Sequence, residues 1–579
     1  MNMRMSKLIK NISPGLHVYS LLGFILFFGF TFSIFLIENV LPGSTDSLGH
    51  IAFMQDHVNH FKELVKRPSI GYAFYPECGT GLFTESYWFE TIIFMIPKAL
   101  GFSDVFNSWF LVVILYALNS WAVYLLSYHY TQNRLAATFS GLSFSASCYM
   151  LGNIELMNSL GFFCIPLSLL LLELFIQSGN RKHFIRSLLL LSVSHFASAY
   201  AFLFGCGLWL CLFILKPRPV SAKTLVIAFS SFLLLIFPLV ARLLRIHSDN
   251  VYNPLAHIPD AFDRFSMTFN NLQSALPNNL IYSQNIDHFA DLAVKIPYPA
   301  NSGFVFLILL IGSLFMSWHR KSYFLIISIT ALVFSFGLQV ELSDYSIRLP
   351  LYYLQKIPGI STFFRIPGRA FVVTQFGFAI LAGHGLAIIS SKLSKIWSVG
   401  LPIVAMLAFV IENVPVLMAV PSDQDRPRLN TPVIYQSLPK TKVRLAILPS
   451  SLFTDGGYHN GISEFSREYH YQYWQITHGH YIINGSSSYF PTSRMRNNQL
   501  MIHLDENDNL NHLIDSNGIE LIIFHQEFTF DAREKGQLKT LEESPRLVLI
   551  QHMGGDYLFE VIKNLEKDSD SIMLQKNTQ

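Results

Sequence analysis

Nine apolar stretches of roughly 16–25 residues recur along this chain, and lengths of that order cross about 30 Å of hydrocarbon. They fall at 16–37, 104–126, 134–151, 156–176, 223–246, 303–317, 323–338, 370–391 and 397–419. A further stretch, 184–215, is too long for one crossing and short for two. Its middle, His195-Phe-Ala-Ser-Ala-Tyr200, is small and polar enough for a turn between two short or re-entrant helices. Counting it twice gives about eleven crossings. Backbone in lipid must satisfy its own polar groups, so the sequence predicts an α-helical polytopic membrane bundle.

Composition agrees. Only 14% of residues are charged, against about 25% in an average soluble protein, and 51% are hydrophobic. A net charge of +3 is too small to gather a polyanion, and with 51 Phe it excludes a disordered or nucleic-acid-coating chain. The mean hydropathy of +0.37 is modest for a pure bundle and leaves room for a water-soluble part. Four of the five cysteines lie in apolar runs and no C-x-x-C occurs, so neither a disulfide framework nor sulfur-held zinc is expected.

Arg4, Lys7 and Lys10 place the N-terminus in the cytoplasm by the positive-inside rule. Alternating from there, the basic loop at Arg181-Lys182 falls inside, and the later ones at Lys216-Pro-Arg218, His319-Arg320-Lys321 and Lys392 fall inside only if 184–215 crosses twice. The chain after Ala419 then lies outside the cytoplasm, as do three long loops, 38–103, 247–302 and 339–369. Residues 1–419 are expected to form the membrane domain. Residues 420–579 open with a polar linker and continue as short β-rich runs, Val443–Leu448, Tyr481–Asn484, Ile519–His525, Leu547–Gln551 and Tyr557–Ile562. Helical patterns lie near 496–503, 508–516 and 533–542, so the tail reads as a small extracytoplasmic α/β domain.

The first loop begins Leu41-Pro-Gly-Ser-Thr-Asp46-Ser-Leu-Gly-His50 and predicts a helix from about Ser47. Asp46 and His50 stand one turn apart, as do Asp56 and His60. Such a pair serves as general base and partner, or binds a divalent metal; Asp46 equally suits a helix cap. Glu77, Trp88 and Glu90 set carboxylates among aromatics near the membrane surface, as an interfacial belt or a sugar-binding face requires. In the third loop, Arg365 and Arg369 stand four residues apart just before a span, and paired guanidiniums hold phosphate oxygens. His384 is an intramembrane ionisable group. In the tail, Trp474, His478 and Tyr489 belong to an aromatic and His-rich run that fits either a carbohydrate surface or a packing seam. Asn484-Gly-Ser486 matches a glycosylation acceptor. The sequence contains no phosphate-binding P-loop, dinucleotide fingerprint or serine-nucleophile elbow.

Gly43-Ser-Thr-Asp46-Ser-Leu-Gly-His50, Phe74-Tyr-Pro76 with Gly79 and Gly81, Phe364-Arg365-Ile-Pro367-Gly-Arg369 and Asn484-Gly-Ser-Ser-Ser-Tyr-Phe-Pro491 together resemble the GT-C integral-membrane glycosyltransferases. Within that superfamily the chain is most similar to the bacterial YfhO-like membrane proteins. The resemblance implies a GT-C-like bundle in a bacterial plasma membrane. It also implies transfer of a sugar from a polyprenyl-phosphate carrier to an extracytoplasmic glycan, lipid or protein. Asp46 would be the general base, and Arg365 and Arg369 would bind the donor phosphate. Many relatives pair acidic residues where this chain has Thr45-Asp46-Ser47, which counts against a divalent metal. Two rival readings are a transporter or flippase of lipid-linked saccharide and a catalytically inactive assembly protein.

Overall fold

The computed structural model describes residues 14–42, 46–59, 87–154, 160–215, 220–248, 266–268, 272, 303–315, 321–342, 345–356, 366–413, 429–450, 463–485, 492–506, 508–529 and 532–562. The chain divides into two compact units. One comprises 1–47, 86–241 and 259–426; the other comprises 48–85, 242–258 and 427–579. The middle of the first long loop, 48–85, therefore shares a unit with the tail.

In the first half of the chain the helices are α1 (Pro14–Thr31), α2 (Asp46–Asn59), α3 (Trp88–Ala99), α4 (Asp104–Thr131), α5 (Arg134–Ser145) and α6 (Cys164–Ser178). They continue with α7 (Arg181–Val193), α8 (Ala199–Leu215), α9 (Ala222–Ser248), α10 (Phe304–Leu314) and α11 (Lys321–Ser335). A hairpin, β1 (Gln339–Leu342) with β2 (Tyr345–Arg348), precedes α12 (Phe371–Ser391) and α13 (Lys395–Asn413).

Among the described residues three helices are long and apolar enough to span, namely α4, α12 with the 3₁₀ turn Pro367–Ala370 before it, and α13. Six shorter apolar helices of 10–17 residues accompany them among the described residues. The shortening has local causes. The stretch 134–151 breaks after Ser145 because Ser147 caps a new short helix, accepting from the Met150 amide at 3.3 Å. The stretch 184–215 is two helices joined at Ser194–Phe196, where small polar residues interrupt the apolar run.

Small residues let these helices touch. Gln132, in the left-handed region at φ 54°, and Asn133, which accepts from the Ala136 amide at 3.1 Å, turn α4 back onto α5. Ser127 and Ser140 bond across that pair at 2.8 Å. Helix α12 is central, with 78% of its apolar window buried against 28% for α13. A Cβ at Gly385 would stand 2.7 Å from the Leu309 carbonyl, and one at Gly383 would stand 2.8 Å from that of Ala136. Without hydrophobic drive between helices in lipid, such close backbone approach is a main source of packing.

In the second unit the strands are β3 (Arg444–Leu448), β4 (Tyr481–Ile482), β5 (Leu521–His525), β6 (Leu547–Met553) and β7 (Asp556–Val561). Its later helices are α14 (Ser463–His478), α15 (Thr492–Ile502), α16 (Asn509–Asn517) and α17 (Ala532–Glu543). The sheet order is β4-β3-β5-β7-β6, with β4, β3 and β5 parallel and β7 and β6 antiparallel. Strand alternation sends Ala446, Leu448, Ile522 and Phe524 into a core with Met501, Leu513 and Leu541 of α15, α16 and α17. His525, one position on, meets Tyr471 and Trp474 of α14 instead.

Candidate functional site

In the first unit Pro367 opens the 3₁₀ turn ahead of α12, where its fixed φ suits a helix start and its missing N–H costs nothing. Arg369 therefore sits at the entrance of the central helix. The Tyr149 hydroxyl donates to the Gly368 carbonyl at 3.2 Å and ties the turn down. Arg369 is only 9% exposed, and its guanidinium carbon lies 4.4 Å from the centre of the Tyr200 ring. Tyr200 reaches it because the break between α7 and α8 ends just before that residue.

Arg369 and Tyr200 border a small cleft that opens to the surface. Tyr149, Phe162, Phe204 and Leu160 supply apolar and aromatic wall, and Asn153 and Ser198 supply polar groups. An apolar cleft with one cation and few polar groups suits an apolar chain carrying an anionic head. The low-dielectric surroundings raise the worth of each charge contact there. Behind the wall, Glu90 of α3 is fully buried. A Cβ at Gly161 would stand 3.2 Å from Glu90 Oε1, so glycine is what lets the wall close over that carboxylate. The Asn119 amide donates to the Leu160 carbonyl at 2.6 Å and fixes the same segment.

The other expected residues are dispersed. Asp46 is the first residue of α2, but its side chain lies outside the described residues, as do Glu77, Arg365 and Tyr489. Residues Ser47 to His57 of α2 are buried without a break, including His50, Gln55, Asp56 and His57. With Ser47 these make five polar side chains inside one helix, costly unless partnered or used. Burial pushes the His57 imidazole down, against the opposing pull of Asp56. Among the described residues no three His, Cys, Asp or Glu side chains gather as a metal site. Trp88 begins α3 half-buried, and His384 is buried in α12 outside the cleft wall.

In the second unit Trp474 is fully buried, in ring contact with His470, His525 and Phe528, and offers no face to a sugar. His478 stacks on Tyr435 at 4.9 Å, and burial holds its imidazole well below the usual range. Asn484 is also fully buried and exchanges two 2.8 Å hydrogen bonds with the Ile447 backbone. Its amide pins β3 beside β4, which leaves it no glycosylation role in the fold.

Sequence reading missed the partners that shape the Arg369 site. Tyr149 sits in an apolar span, Asn153 between two such spans, and Tyr200 reads only as the end of a turn. It also missed α14, and the buried chain in which His525 contacts Asp556 at 2.7 Å and Tyr435 at 3.0 Å. That chain is closed inside the unit, with Tyr435 5% exposed.

No family model and no curated protein matches the sequence. Solved structures do. The arabinofuranosyltransferase AftD from Mycobacteria matches over 96% of this chain with a TM-score of 0.58 and 13% identity. A mutant form of AftD matches over 91% with a TM-score of 0.51 and 13% identity. This chain spans about 40% of the length of either. The oligosaccharyltransferase of Archaeoglobus fulgidus, in its apo form, aligns over 89% of this chain and 70% of its own, with 11% identity and a TM-score of 0.48. The fold is the one found in AftD.

Proposed function

We propose that the protein is a membrane glycosyltransferase, akin to the YfhO-like proteins, that takes a sugar from a polyprenyl-phosphate donor. The acceptor is an extracytoplasmic glycan, lipid or protein. One observation carries this reading: a nearly buried arginine, braced by Tyr200, in the wall of an otherwise apolar cleft. A lipid-linked donor has that shape, an apolar chain ending in an anion.

Asp46 takes the proton of the acceptor hydroxyl. The hydroxyl oxygen bonds to the anomeric carbon while the bond from that carbon to the phosphate oxygen breaks. The electron pair leaves with the phosphate, and Arg369, with Arg365, neutralises it. Single displacement inverts the anomeric centre. No nucleotide is needed at this step, in keeping with a sequence that contains no nucleotide-binding motif. The N-terminus is cytoplasmic and the α/β tail extracytoplasmic.

The test uses protein reconstituted in liposomes with a panel of labelled polyprenyl-phosphate sugars and follows release of polyprenyl phosphate. Wild type releases it with one donor class, and Asp46→Asn slows release by about 10²–10⁴-fold, the worth of a general base. No release with any donor, from folded and monodisperse protein, would sink the proposal.

A further inference from the structure

We infer that Tyr469 of α14 is a positioning residue that holds α2, the helix beginning at Asp46. The inference rests on the reading of Asp46 as the general base.

Gly49 lies in the first turn of α2, where glycine is a poor helix former and calls for a reason. The reason is contact within the second unit. A Cβ at Gly49 would stand 2.5 Å from Cε1 and 3.3 Å from Cγ of Tyr469, well inside ordinary carbon contact of about 3.5–4 Å. The ring thus occupies the place a side chain would take, against the helix backbone three residues from Asp46.

Tyr469 projects from a braced part of the tail. On one side Glu468 pairs with Arg494 at 3.0 Å, both fully buried, and accepts from Ser450 at 2.8 Å and from the Gly485 amide at 2.9 Å. Before it, Arg467 pairs with Glu534 at 2.8 Å and donates to the Phe528 carbonyl at 2.9 Å. Two residues on, the Tyr471 hydroxyl donates to the Pro449 carbonyl at 2.9 Å. Buried ion pairs are weak evidence of net stability, yet they fix geometry. Here they fix the turn of α14 from which the ring reaches α2. Support of this kind matters because misplacing a reacting group by about 1 Å costs on the order of 10²-fold in rate.

The experiment is a double-mutant cycle on full-length reconstituted protein, with kcat and KM for donor release. Gly49→Ala and Tyr469→Ala should each lower kcat by about tenfold, within the range that sub-ångström misplacement gives, with KM nearly unchanged. The double variant should be no slower than Tyr469→Ala alone, because the added methyl harms only while the ring is present. Tyr469→Phe, which keeps the ring, should retain wild-type kcat. Tyr557→Ala, which loosens the tail core elsewhere, should lower Tm without lowering kcat. Additive losses, a Gly49→Ala enzyme with normal kcat, or a kcat that falls with Tyr557→Ala would overturn the inference. Amide exchange over residues 46–59 separates the two claims. If wild type turns over no donor, the proposed function fails. Exchange about tenfold faster in Tyr469→Ala still supports the contact, and unchanged exchange refutes it.

Discussion

Among the described residues the buried arginines are of two kinds, one in each unit. Arg494, in the α/β unit, is fully buried and spends its donors on Glu468, Asn498 and the Gly485 carbonyl. Burial pulls its guanidinium pKa down, and Glu468 opposes that pull. Arg369, in the membrane unit, faces an aromatic ring and a cleft. Desolvating a guanidinium is expensive in both places. In the α/β unit the return is an internal cross-brace. In the membrane unit the charge stands where a ligand can meet it. Burial and charge do not by themselves separate scaffold from site; what the guanidinium faces does.

The largest expected effect breaks the brace. Arg494→Met leaves Glu468 buried without its partner and should cost about 3–5 kcal/mol of stability in the α/β unit, read as a loss in denaturant midpoint. Arg369→Gln should move that midpoint little while abolishing most donor release; equal losses of stability in both variants would erase the distinction. Trp474→Ala should likewise cost about 3–5 kcal/mol as a core cavity, and an unchanged midpoint would mean the indole is not core. A smaller effect sharpens the cleft. Tyr200→Leu removes the ring over Arg369, worth about 0.5–2 kcal/mol, and should weaken donor binding by that amount with kcat changed less.

The smallest effect is on pH. Burial lowers the folded-state pKa of His478 and, less strongly, of His480 from the ordinary 6.5. The unfolded chain therefore takes up protons first as pH falls, so stability is full above about 6.5 and declines below it. Melting of the α/β unit should fall between pH 7 and 5, and His478→Phe should flatten that decline. A pH-independent midpoint would show that these imidazoles are not held neutral by the fold.

Much of the architecture was legible because it follows from period and punctuation. The break in 184–215 was readable from its small polar middle, and the tail strands from short β-branched runs between turn residues. Helix α14 was not. Its sequence, His470-Tyr-Gln-Tyr-Trp474, is rich in aromatics and His, weak helix formers that read as a binding surface. Tertiary burial overrides that preference. The stretch 134–151 is shorter as a helix than its hydropathy suggests, because Ser147 caps a new short helix inside a run that hydropathy counts as continuous. Arg369 could be singled out as a cation beside a span. Its partner Tyr200 could not, because 169 positions separate the two and only the fold brings them together.

The most direct test of the account is equilibrium binding of a short-chain polyprenyl phosphate to the protein in nanodiscs, wild type against Arg369→Gln. Charge-assisted hydrogen bonds of about 1.5–3 kcal/mol predict binding roughly 10–150-fold weaker in the variant, with Tm unchanged. Equal affinity in the two proteins would contradict the claim that the Arg369 cleft receives the phosphate of a lipid-linked donor.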